Sequence, residues 1–342
     1  MDRATTQPGV VMAPADRTVI RDADAAALAS YLTPVTDHYV LGALGIAHCD
    51  AERWTLTVTG SVDRPLTLSM DEVRALPSVE LTVTLECAGD PLNPDKPVRR
   101  VSTAAWRGVP LADLLRLARP HPDASDVWFD GADHGTYRPN TAVAEAVAEY
   151  RKDLPLATAS GGDVLVAYAM NGEPLPTEHG SPLRLIVPGH YGTNSVKWLK
   201  RITVANGRPQ GLFCSVLYQS AEQVDGRIVR RPVRQVAVNS LITDPAPGAT
   251  LTPGRVRVTG WAWGAREVAA VEVMAEPRGV WQPARLEPRT DHAWQRFDAA
   301  LEIPAAGEYR LAVRARDRGG AVQPAEEHIN QIPHVTVHVG RG

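Results

Sequence analysis

The thirty residues 170–199, MNGEPLPTEHGSPLRLIVPGHYGTNSVKWL, constrain the reading of this chain more than any other stretch. PLRLIVPG inside it is an apolar strand pattern closed by Pro188 and Gly189, and VKWL begins a second one, VKWLKRITVA. The block therefore reads as sheet broken by Gly, Pro and Asn turns, with its polar residues gathered near those turns. His179, Arg184 and Lys197, together with the backbone N–H groups of Gly192-Thr193-Asn194-Ser195, are the donors that a buried anion or phosphorylated cofactor requires. Each of them alone suits an ordinary turn or surface position. Their density within thirty residues is what points to a site.

Upstream, VELTVTLECAGD (79–90) alternates strictly, with Val79, Leu81, Val83, Leu85 and Cys87 on one face and Glu80, Thr82, Thr84 and Glu86 on the other. Cys87 is thus the last inward position of a strand, followed at once by the small-residue turn Ala88-Gly89-Asp90. Taken alone, a thiol there is more often an inert buried side chain than a ligand. At a strand end beside a backbone that permits close approach, it also suits a transition metal.

Working outward, Trp54, Leu56 and Val58 mark a strand before Gly60, and Ser69 with Glu72 forms a capping box for a short helix, MDEVRALP. PLADLLRLAR (110–119) has helical spacing. DVWFDGAD (126–133) and DVLVAYAMNG (163–172) read as strands. Composition shifts near residues 231–250, where RPVRQVAV leads into the Pro/Gly-rich SLITDPAPGATLTPG. Beyond it, Val256/Val258, Val268/Val271/Val273, Tyr309/Leu311/Val313 and residues 334–339 are short alternating strands, the signature of an immunoglobulin-like β-sandwich. The first thirty or so residues read as an arm with a short helix around Ala25–Ala29.

Composition narrows the function classes. In 342 residues, 36 Lys and Arg against 39 Asp and Glu give a net charge of −3, which argues against a nucleic-acid binder. Three dispersed cysteines, Cys49, Cys87 and Cys214, supply neither a disulfide framework nor a C-x-x-C metal pair. No stretch approaches a membrane span and the acidic N-terminus is unlike a signal peptide, so the expectation is a cytoplasmic protein without a membrane.

LECAG, AWRGVPLADLL, FDGAD and, above all, AYAMNGEPLPTEHGSPLRLIVPGHYGTNSVKWLKRITV together resemble the sulfite oxidase family of molybdenum enzymes, over roughly residues 33–339. The resemblance implies one molybdenum on the dithiolene of a molybdopterin, with Cys87 as the protein ligand. It implies that Asp133, His179, Arg184, Ser195, Val196 and Lys197 hold the pterin and its phosphate, and that Tyr218, in LFCSVLYQ, stands beside the metal. Oxygen-atom transfer to or from a small-molecule substrate, followed by one-electron steps, is the implied chemistry.

Two departures bear on substrate. Family members carry an arginine and a histidine shortly after the T-P segment, where this chain reads His38-Tyr39-Val40-Leu41-Gly42-Ala43. Members that oxidise sulfite commonly follow C-A-G with asparagine and arginine, where this chain has Asp90-Pro91. Asp90 is open to two roles, capping the loop or receiving a neutral or cationic substrate. Arg99, Arg100, Arg107 and His48 are the residues available to replace the missing cation.

The expected architecture is an α+β sulfite-oxidase-type molybdopterin domain followed by an immunoglobulin-like β-sandwich. Residues 1–32 form an N-terminal arm, 33–235 the catalytic domain and 236–342 a dimerisation domain. The expected protein is a homodimeric molybdopterin-dependent oxidoreductase with no haem, passing electrons to a separate carrier. Its substrate is sulfite, or else an organic S- or N-oxygenated compound. The rival outside enzymes is a metal-free binding or assembly module that retains the fold.

Overall fold

The computed structural model describes residues 10–12, 18–24, 26–90, 99–137, 145–277, 279–326 and 330–340. They divide into two compact units. The first comprises residues up to Arg21, Val40–Leu81 and Ala105–Arg234, and the second Asp22–Tyr39, Thr82–Ala104 and Gln235 onward. The strands Val79–Glu86 and Val101–Pro110 each run from one unit into the other. Part of the N-terminal arm is sheet: Val10–Met12 pairs with Ala47–Cys49, and Val19–Arg21 with Val40–Gly42. The expected arm helix is a single 3-10 turn, Ala27–Ala29, and Ala25 lies outside the described residues.

The first unit is built on a five-stranded sheet in the order Ala146–Pro155, Asp126–Tyr137, Leu199–Ala205, Thr55–Gly60, Leu66–Ser69. All neighbours are antiparallel except Leu199–Ala205 with Thr55–Gly60, where Ile202 lies opposite Val58. Trp54, Leu56, Val58, Phe129, Trp198 and Ile202 are all fully buried in one core cluster. Strand Leu165–Met170 pairs with Glu173–Pro174, Arg184–Ile186 and Val101–Pro110. This arrangement explains why PLRLIVPG is apolar apart from Arg184: Arg184, Leu185 and Ile186 are all buried.

Helix is scarcer than expected. The described helices are Met70–Ala75, Leu111–Ala118 and Leu156–Ala159, so both units are mostly β. The helical spacings were real but local. The Ser69–Glu72 box closes reciprocally, Glu72 N–H reaching Ser69 Oγ at 3.2 Å and Ser69 N–H reaching Glu72 Oε2 at 2.8 Å, yet the helix stops after Ala75.

In the second unit two sheets enclose one core, forming a β-sandwich. One sheet orders Asn239–Asp244, Gly254–Trp263, Gln295–Ile303, Arg285–Leu286, and the other Thr250–Leu251, His334–Val339, Gly307–Asp317, Val268–Glu276, Gln282–Pro283. Val258, Phe297 and Leu301 meet Val273, Leu311, Val313 and Val337 in its core. A bulge between Val268 and Ala270 accounts for the uneven Val268/Val271/Val273 spacing. At one end, Trp261 and Trp294 stack at 4.9 Å with 7° between their planes. Their indole N–H groups donate to the carbonyls of Leu28 (2.6 Å) and Tyr31 (2.9 Å), which fastens part of the N-terminal arm to this unit.

Candidate functional site

Candidate residues fall into two groups, one per unit. In the first unit, Asp133 projects from strand Asp126–Tyr137, His179 ends the 3-10 turn Thr177–His179, Arg184 opens strand Arg184–Ile186, and Ser195–Lys197 precede strand Leu199–Ala205. Asp133, His179, Arg184, Ser195 and Val196 are each no more than 5% exposed. The Arg184 guanidinium lies 4.7 Å over the Trp106 ring and donates to His179 O (2.9 Å) and Ser195 O (3.3 Å). Lys197 Nζ donates to Glu178 O at 2.9 Å and sits 4.4 Å over Trp198. The Val196 carbonyl accepts the Leu185 N–H at 2.7 Å, and Ser195 Oγ accepts that of Val187 at 3.1 Å.

One glycine sets this arrangement. Gly180 has φ +106°, and a Cβ there would lie 3.0 Å from Lys197 Cβ and 3.1 Å from Arg184 Cβ. The two cationic stems therefore crowd against bare backbone. Burial and the neighbouring Arg184 push the Lys197 ammonium down, while burial pushes the Asp133 carboxyl up despite Lys197. Asp133 Oδ1 is buried and has no hydrogen-bond partner among the described residues. A buried arginine, a half-buried lysine and an unspent carboxylate oxygen suit a ligand that carries both an anionic phosphate and N–H donors, as a phosphorylated pterin does.

The turn 192–195 differs from expectation. It is a 3-10 turn, Gly192–Asn194, that spends the Asn194 N–H on Tyr191 O (2.8 Å) and the Ser195 N–H on Gly192 O (3.0 Å). The sequence could not distinguish free amides from amides closed into such a turn.

Tyr218 follows the turn Leu212–Val216 with a left-handed backbone (φ 54°). Lys152, 2% exposed, lies beneath it, its Nζ 5.1 Å from the ring centre and 2.9 Å from Phe213 O. Sequence reading missed Lys152. The signal was there, since Tyr150 and Lys152 share the inward face of strand Ala146–Pro155. Cys49 is half-buried, its thiol pushed up to about 12 by burial and by Asp133.

In the second unit, Cys87 is 9% exposed at the end of its strand, and burial pushes its thiol up to about 11. The Gly89 N–H points at its Sγ (3.4 Å). The loop is closed by Asp90: its N–H donates to Cys87 O (3.0 Å) and its Oδ1 accepts the Arg100 N–H. Of the two roles open to Asp90, this contact supports the cap. The face expected to be polar is instead buried at this end. Glu86, 1% exposed, accepts from Asn239 Nδ2 and Trp263 Nε1, both at 2.8 Å, and Thr84 Oγ1 accepts the Trp294 N–H at 2.7 Å.

The candidate replacement cations are dispersed. Arg107 and the exposed His48 belong to the first unit, Arg107 Nε reaching Ser78 Oγ at 3.3 Å. Arg99 and Arg100 belong to the second unit with Cys87, Arg99 pairing with Ala23 through its main chain. At the departed positions, Leu41 is half-buried and Ala43 is buried among the core residues of the first unit.

Residues 43–213 match the oxidoreductase molybdopterin binding domain, and residues 230–336 the Mo-co oxidoreductase dimerisation domain. The sulfite oxidase of Gallus gallus is 32% identical over 322 residues, which covers 86% of this chain and 68% of that protein. The chain belongs to the sulfite oxidase family. Other members include the mitochondrial sulfite oxidase of Rattus norvegicus, 33% identical over 323 residues (86% of this chain, 58% of that one). The nitrate reductase [NAD(P)H] of Hordeum vulgare is 32% identical over 336 residues, covering 86% of this chain and 37% of its own. The chain thus spans a little over half the length of the mitochondrial sulfite oxidases it matches. Among solved structures, the sulfane dehydrogenase SoxCD from Paracoccus pantotrophus shares the sulfite oxidase family fold seen here, with a TM-score of 0.80 at 23% identity over 96% of this chain and 88% of that one.

Proposed function

We propose that this chain is a molybdopterin-dependent oxidoreductase that transfers an oxygen atom to or from a small substrate, with Cys87 as the protein ligand of the metal. The observation that carries the reading is the first-unit cluster, in which Arg184 and Lys197 crowd around Gly180 and Asp133 keeps a buried oxygen unspent. When bound, molybdenum on its pterin supplies the two-electron chemistry of oxygen-atom transfer. Arg184 and Lys197 hold the phosphate, Asp133 accepts N–H groups of the pterin, and His179 and the Ser195–Val196 segment line the pocket. Tyr218 orients substrate over Lys152.

In this reading residues 1–32 are an arm, 33–235 carry catalysis, and 236–342 form an immunoglobulin-like domain that pairs two copies of the chain. A separate one-electron carrier takes or gives the electrons, and the protein works in the cytoplasm. Sulfite is not assumed as the substrate, because Leu41 and Ala43 are apolar where the family places arginine and histidine.

Metal analysis after expression in a host that makes molybdopterin tests the proposal. About one molybdenum per chain is expected for the wild type. Cys87→Ser should lose turnover, and a fully active Cys87→Ser protein overturns the ligand assignment.

A further inference from the structure

In the first unit, a charge stands where an apolar side chain would pack. Lys152 is 2% exposed on strand Ala146–Pro155, and its Nζ donates to Phe213 O at 2.9 Å while lying 5.1 Å from the centre of the Tyr218 ring. A methionine of similar length would fill the space without the cost of burying an ammonium, so this position calls for a role that only charge performs.

The segment that meets the lysine is firmly held. Leu212–Val216 is a single π-helical turn, closed by the Leu217 N–H on Leu212 O at 2.8 Å, and such turns are frequent at functional sites. Arg208 Nη2 and Gln219 Nε2 both donate to Cys214 O, at 2.8 and 2.9 Å, and Cys214 Sγ donates to Arg151 O at 3.0 Å. The turn delivers Tyr218 with φ 54°, where a bulky residue persists only when its surroundings over-determine it. The Tyr218 carbonyl accepts the Val233 N–H at 2.8 Å. Hydrogen bonds thus fix the main chain, and the ammonium acts on the ring itself, whose π face attracts a cation.

The charged and titratable groups around Lys152 are Asp153, Arg208, Arg234 and the Cys214 thiol. Asp153, 2% exposed, is shared by Arg208 (2.8 and 3.1 Å) and Arg234 (2.6 Å), so its charge is already answered. Burial pushes the Cys214 thiol up to about 11, which leaves it neutral wherever Lys152 is charged. The ammonium is therefore left to Phe213 O and the Tyr218 ring.

We propose that Lys152 is the positioning residue of Tyr218, its ammonium tethered to Phe213 O and fixing the plane of the ring that faces substrate. The inference rests on the role given above to Tyr218 and adds an anchor that works only while charged. Burial lowers Lys152 to about 8, so the anchor holds at neutral pH and is released in alkali.

NMR of the full-length, metal-loaded protein with ring-¹³C tyrosine tests this, the Tyr218 signal being the one that Tyr218→Phe removes. In the wild type that signal should move through a transition near pH 8, well below the ordinary phenol range. Lys152→Met should abolish the transition and hold the signal at its alkaline position even at neutral pH. Lys152→Arg, whose charge does not titrate, should hold it at the neutral-pH position throughout, a rescue that a merely space-filling lysine would not give. The wild-type titration needs no variant, so the proposal is testable even if Lys152→Met fails to fold. A Tyr218 signal that shows no transition near pH 8, or the same transition in Lys152→Met, overturns the role of Lys152 and leaves that of Tyr218 standing. Full turnover by metal-loaded Tyr218→Phe overturns instead the role of Tyr218 on which the proposal rests.

Discussion

Asp90 shows how one contact decides between two roles that the sequence leaves open. Its Oδ1 accepts the Arg100 N–H, so the carboxylate ties the two ends of the Cys87 loop. Asp90→Asn should therefore lower stability by about 1 kcal/mol, the usual loss for weakening a capping hydrogen bond, without improving sulfite turnover. Chemical denaturation and steady-state kinetics on the same preparation check both halves. Arg184 and Lys197 carry a different expectation. Truncating either to alanine removes a charge-assisted bond to the phosphate, about 1.5–3 kcal/mol each, and pterin content after purification should fall. Undiminished cofactor in both variants would contradict the assignment of the pterin pocket.

At the scale of elements, strand Ala146–Pro155 buries a lysine under the segment that carries Tyr218. Burial lowers Lys152 to about 8 from its ordinary 10.5. The folded state then binds fewer protons than the unfolded chain between about pH 8 and 10.5, so stability should rise with pH across that window. Below pH 8 the buried ammonium costs about 3 kcal/mol relative to an exposed one, offset by its bond to Phe213 O and the Tyr218 ring. Lys152→Met should flatten that part of the stability–pH curve, which urea titrations at several pH values will reveal. A parallel slope in wild type and variant would count against it. Strand Val79–Glu86 illustrates the limit of period-2 reading. Alternation located Cys87 correctly, but it expected a polar outer face, and Thr84 and Glu86 are buried. Their partners, Trp294, Trp263 and Asn239, lie about 150 residues or more away in sequence, beyond any local pattern.

At the scale of the molecule, the β-sandwich was legible because its strands are short, alternating and separated by Gly/Pro turns, a signal carried locally by Val256/Val258 and Leu311/Val313. The short helices of the first unit were legible as well, MDEVRALP ending at Ala75 and PLADLLRLAR at Ala118. Pocket residues around Gly180 were legible as a cluster. The contact of Asp22 with Arg100 was not, because Asp22 and Arg100 are 78 residues apart and neither lies in a motif. Size-exclusion chromatography with light scattering should show a dimer, consistent with the dimerisation-domain match at residues 230–336. A monodisperse monomer at micromolar concentration contradicts that.

The stacked pair Trp261 and Trp294 makes the second unit readable by light. Indoles nearly parallel at 4.9 Å couple their electronic transitions, so this end of the sandwich should contribute a signed couplet to the circular dichroism spectrum. The main-chain carbonyls of Leu28 and Tyr31 hold those rings by their N–H groups, so detachment of residues 22–39 would collapse the couplet and shift the emission to the red. The segment thereby becomes a built-in optical gauge of its own attachment.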